Sequence, residues 1–97
     1  MKALPRRLPV RVGHDAWGRL DELSAAGAVL TTQAVLRRGE VVVLSFELHG
    51  ETFTELDAVV SHAAPDDDGF TRAEVDFRDQ VHRRRLATAL LDVLSRQ

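Results

Sequence analysis

The run Glu40-Val41-Val42-Val43-Leu44-Ser45-Phe46-Glu47-Leu48 alternates as a half-buried β-strand does. Val42, Leu44, Phe46 and Leu48 fall on one face, and Ser45 and Glu47 on the other, because successive side chains of a strand point to opposite sides. The run follows Arg38-Gly39 and ends at His49-Gly50. Glycine in both places supplies the positive φ or close backbone approach that a turn requires. Val41 and Val43 share the second face, either as an apolar docking patch or as surface covered by a helix.

Outward from this strand the same period recurs. Toward the N-terminus, Leu8, Val10 and Val12 alternate with Arg7, Pro9 and Arg11, and Pro5 and Pro9, which lack a backbone donor, predict an edge strand. Gly13 to Asp15 reads as a turn, followed by strands over Trp17–Leu23 and Ala28–Thr32. Toward the C-terminus a strand over Thr52–His62 alternates poorly, so its register is open. Pro65-Asp66-Asp67-Asp68-Gly69 is a turn. It lacks the ligand spacing and bidentate Glu of a calcium loop. A strand over Phe70–Phe77 turns Thr71, Ala73, Val75 and Phe77 inward. The period then changes: Asp79 is placed to cap a helix, and Val81, Leu86, Leu90, Leu91, Val93 and Leu94 follow helical spacing. Six short strands and one helix predict an all-β barrel or sandwich whose open end the helix covers. Trp17 and Phe46 are expected in its core.

Composition narrows the function. The 97 residues suffice for one domain, with 44% hydrophobic and 29% charged residues, as in ordinary globular chains. The absence of cysteine excludes disulfides, thiolate metal sites and a cysteine nucleophile. His14, His49, His62 and His82 are scattered without ligand spacing, so no metal is expected. A net charge of −2 makes nucleic acid an improbable partner, although residues 1–19 hold Lys2, Arg6, Arg7, Arg11 and Arg19 against Asp15 alone. Residues 47–79 hold ten acids against Arg72 and Arg78. His82-Arg83-Arg84-Arg85 opposes the dipole of its helix, either as a partner surface or as a solvated face paired with the acidic strands. No apolar run approaches the roughly 18 residues of a membrane span, and Met1 to Val12 lacks the apolar core of a signal peptide. The expectation is a cytoplasmic protein. No nucleophile, base and orienting group assemble into an enzyme site.

Between two of the strands stands Glu22-Leu23-Ser24-Ala25-Ala26-Gly27. It resembles the second signature of PilZ domains, which runs Asp or Asn, any residue, Ser, any two residues, Gly. Gly18-Arg19-Leu20 before it, Ala28-Val29-Leu30 after it, Leu36 to Leu48, Glu74-Val75-Asp76-Phe77 and the terminal helix resemble the remaining family elements in order. The resemblance implies a six-stranded PilZ-like β-barrel with one C-terminal α-helix over residues 1–97, a regulatory role and, in many members, binding of cyclic di-GMP. It implies a ligand site built from Arg6, Arg7, Arg11, Glu22, Ser24 and Gly27. Arg7 and Arg11 have the spacing of the first family signature, two arginines separated by three residues. Arginines pair bidentately with guanine and neutralise phosphate. Two departures stand out: Glu22 is one methylene longer than Asp, and Arg11 alternates with strand residues. Ser24 and Gly27 also read simply as a tight turn, and Arg7 and Arg11 as outward charges on a strand. The expectation is an adaptor that contacts a protein partner in bacterial motility or surface behaviour, with weak or absent cyclic di-GMP binding. The alternative is a true cyclic di-GMP receptor whose basic N-terminal segment orders on the ligand.

Overall fold

The computed structural model describes residues 8–66 and 69–95. Six strands, β1 (Leu8–Val12), β2 (Ala16–Leu23), β3 (Gly27–Thr32), β4 (Val41–Leu48), β5 (Glu51–Pro65) and β6 (Thr71–Phe77), are followed by helix α1 (Gln80–Ser95). All neighbours are antiparallel, and the sheet closes as β1-β2-β3-β6-β5-β4. The expected barrel and helix are both present.

The core follows from the alternation. Val42, Leu44, Phe46 and Leu48 of β4, and Ala73, Val75 and Phe77 of β6, point inward and are buried. His49 and Gly50 have φ of 52° and 86°, and Leu48 pairs with Glu51, so the β4–β5 hairpin turns through two left-handed residues. β5 alternates poorly because the ladder slips twice. Opposite Leu44 to Phe46 it inserts residues between Phe53 and Leu56, with Glu55 at φ 54° and its N–H donating to Ser45 Oγ at 3.1 Å. A second shift lies between Val60 and His62. Such bulges re-aim the side chains on either side of them.

Two expectations are corrected, and one of the two readings of Val41 falls away. Trp17 is 63% exposed. It stands three residues from the inward Leu20, and so on the outer face of β2. β1 is not an edge strand, because it pairs with β2 along its length and with β4 at Arg11 and Val12. Gly13 donates to Val43 O, and Arg11 pairs with Ser45, so the alternating ladder next needs a donor at residue 9, which is Pro9. The β4 ladder stops there. Val41 is half exposed rather than covered by the helix.

α1 begins just after β6. Asp79 Oδ1 accepts from the N–H groups of Val81 (2.8 Å) and His82 (3.4 Å), the cap expected of it. Leu86, Leu90 and Val93 join the barrel core, while Val81 and Leu91 stay exposed. Arg85 reaches Glu51 Oε1 at 3.1 Å and lies 4.7 Å from the centre of the Phe53 ring, fixing the helix to the β4–β5 hairpin.

Candidate functional site at the Ser24–Gly27 bend

The bend joins β2 to β3 with Leu23 opposite Ala28. Ser24 N–H donates to Gly27 O at 2.9 Å. The Ser24 hydroxyl receives the Gly27 N–H and donates to the Gly27 carbonyl, each at 3.2 Å. Phe77 N–H donates to Ala26 O at 2.9 Å. A Cβ on Gly27 would lie 2.2 Å from Val75 O, so β6 approaches more closely than any side chain allows. Both signature residues therefore serve the backbone whether or not a ligand is bound.

Just before the bend β2 bulges, since Leu20 pairs with Leu30 but Glu22 with Val29. Asp21 and Glu22 both turn outward from the core. Asp21 becomes the hub of a polar network: it accepts from Thr31 Oγ1 at 2.7 Å and Arg19 Nε at 2.9 Å, and Arg72 Nη1 lies 3.4 Å away. Burial by itself raises the Asp21 pKa, but the Thr31 hydroxyl and the two guanidiniums outweigh it and hold the carboxyl below its ordinary 3.8. A depressed folded-state pKa stabilises the fold above the unfolded value, and that contribution is lost as pH falls through 3.8 and then through the lower folded value. Asp21→Asn is expected to cost about 1–2 kcal/mol at neutral pH. Urea midpoints measured from pH 7 down to pH ~3 should show the gap to the parent closing only below about pH 4.

An open groove of about 230 Å³ runs beside the bend, lined by Glu22, Ser24, Gly27, Ser61, Glu74 and Asp76 among others. The groove is acidic. An adjoining depression shares Glu22 and Glu74 and adds His62 and Arg72, the latter already held by Asp21.

The structure brings together Glu22, Ser24 and Gly27. Arg11 is not with them. Its register partner on β2 is Trp17, five residues before Glu22, a separation of roughly 17 Å along the strand. Its guanidinium donates to His14 O at 3.2 Å and lies 6.0 Å from the Trp17 ring centre. Spacing in the sequence does not reveal this, because in an antiparallel hairpin residues nearer the turn lie farther from the other end. Arg6 and Arg7 lie outside the described residues. β1 starts at Leu8 opposite Leu20, on the side of the barrel where the bend lies. Lys2 and Arg6 also stand four apart in the sequence. The Asp21 network was not anticipated. Its one legible signal is the acid directly preceding the signature.

No family model matches the chain, and no curated protein matches it in sequence. Solved structures do. The PilZ domain of CeSA from a cellulose-synthesizing bacterium superposes with a TM-score of 0.69 over 98% of this chain and 99% of that one, at 22% identity. This chain has the PilZ fold. The PilZ-fold barrel is also similar to the Bacillus subtilis inhibitor of motility MotI/DgrA, with a TM-score of 0.74 at 16% identity, and covers 50% of that longer chain. Among the described residues, no helix of this PilZ-fold domain is long and apolar enough to cross a membrane.

Proposed function

We propose that this chain is a PilZ-type regulatory domain that works as an adaptor, through contact with a protein partner, in the control of bacterial motility or surface behaviour. Its affinity for cyclic di-GMP is weak or absent. The observation that carries the reading is the charge at the bend. Glu22, Glu74 and Asp76 line the groove, Arg72 beside it is bound to Asp21, and Arg11 is about 17 Å away along β2. A cyclic dinucleotide carries two phosphate charges, and carboxylates in its site repel them. The likeness to an inhibitor of motility supports the pathway. The role is regulatory rather than catalytic, and it implies a cytoplasmic location.

The second reading, a functional cyclic di-GMP receptor, is favoured by the start of β1 near the bend and by Lys2, Arg6 and Arg7 just ahead of it. Calorimetric titration of the whole chain with cyclic di-GMP decides between them. The adaptor reading expects no saturable heat at low micromolar ligand. Saturable binding there overturns it. In that event Arg6→Ala and Arg7→Ala are expected to weaken binding by about 10- to 100-fold each, through loss of charge-assisted hydrogen bonds.

A further inference from the structure

α1 has two faces, and the barrel uses one. Leu86, Leu90 and Val93 are buried. On the opposite side Val81, Arg84, Thr88, Leu91 and Ser95 recur at alternating steps of three and four and are all exposed, which is the seam spacing of a coiled coil. Val81 is 62% and Leu91 68% exposed. One exposed leucine needs no explanation. Two large apolar residues on one exposed seam, on a helix that has already buried its other face, suit a second packing partner.

The charges along the helix select that partner. His82, Arg83, Arg84 and Arg85 fill its first half, and Asp92 is its one acid. Arg85 is engaged by Glu51, whereas Arg84 takes part in no ion pair among the described residues. Reversed end for end, the seam sets Val81 opposite Leu91 and Arg84 opposite Thr88, with the acid Asp92 flanking it.

We propose that this seam is the interface of an antiparallel helix pair formed with a second copy of the chain. Val81 then lies against the partner's Leu91 at each end, and Arg84 stands level with the partner's Thr88. Helical side chains lean toward their own N-terminus. The Arg84 guanidinium and the partner's Asp92, one turn farther along, therefore lean toward each other. Two-fold symmetry makes every contact twice. A parallel pair would set Arg84 against Arg84 and align the two helix dipoles. A pair of helices this short buries area at the small end of specific interfaces, so the dimer is weak and concentration-dependent. The inference goes beyond the adaptor reading and stands apart from it: the domain would present its partner surface in two copies, whatever it does with cyclic di-GMP.

Sedimentation equilibrium of the whole chain, from low micromolar to near-millimolar concentration, is expected to show mass rising toward twice the monomer. Arg84→Asp and Asp92→Arg should each weaken association by about tenfold or more, and the double exchange should restore it. All the altered side chains are exposed, and circular dichroism verifies that each variant is folded. The chain has no cysteine, so orientation can be read chemically. On oxidation, a mixture of Val81→Cys and Leu91→Cys chains should give the mixed disulfide, and neither variant alone should crosslink. Monomer mass at every concentration, a dimer indifferent to charge reversal, a Leu91→Cys chain that links to itself, or a mixture that fails to link would each overturn the proposal.

Discussion

Gly27→Ala is expected to lower the melting temperature of the barrel sharply. The new methyl would sit 2.2 Å from Val75 O and 3.2 Å from Val75 C. Ordinary contact begins near 3.4 Å, so β3 or β6 must retreat by about an ångström. Both are backbone in a continuous ladder from Gly27–Asp76 to Thr32–Thr71, and neither has a flexible end that yields cheaply. Overpacking of this kind costs about 3 kcal/mol, a large part of the ~5–15 kcal/mol that holds a domain together. For a chain of this size that corresponds to a fall of roughly 12–24 °C in Tm. Gly13, with φ of 66° and nothing within reach of an added methyl, provides the contrast. Alanine there is limited to backbone strain of about 1 kcal/mol. Thermal unfolding followed by circular dichroism compares the two directly. A Gly27→Ala chain that melts with the parent would show that β6 does not approach the bend as described.

Phe53→Ala is expected to cost about 3–5 kcal/mol. Phe53 is fully buried, and its ring stacks on Phe46 with centroids 5.5 Å apart at 25°. The Arg85 guanidinium also lies over the ring, 4.7 Å from its centre, so Phe53 joins the β4–β5 hairpin to α1 as well as filling the core. Truncation opens a cavity and removes the platform on which the helix is anchored. Arg85→Ala, by comparison, breaks an ion pair whose two side chains are 42% and 45% exposed, and is expected to cost at most about 1 kcal/mol. Phe53→Leu keeps most of the volume and should lose far less than alanine. Urea unfolding of the three variants gives the order. Equal midpoints for Phe53→Ala and Arg85→Ala would show that the ring is peripheral.

The fold was legible where the chain is regular. β4 and β6 bury alternate residues without interruption, and the cap at Asp79 stands at the point where period two gives way to helical spacing. β5 resisted because one bulge makes a step of three from the inward Phe53 to Leu56, ahead of the regular Ala58 and Val60, and a second breaks the alternation after Val60. Trp17 was misread for a related reason. Large aromatic residues favour cores, but strand parity set by Leu20 turned this one outward against Arg11. The candidate site was half legible. Glu22, Ser24 and Gly27 share one bend, as consecutive signature residues must. Arg11 was drawn to them by spacing along the chain, whereas hairpin register carries it the other way. The Asp21 network could not be foreseen, because it depends on the register that sets Arg19 opposite Thr31 and Thr31 opposite Arg72, on the outer face that Asp21 shares with Arg19.

The joint between β1 and β4 bears on how the barrel opens. It is fastened at Arg11–Ser45 and Val12–Leu44 and by the Gly13 amide, then ceases at Pro9. Every other joint in the cylinder has five or more register pairs. The start of β1, Leu8 to Val10, is therefore held on one side only, by β2, and whatever grips it there has a single row of bonds to peel.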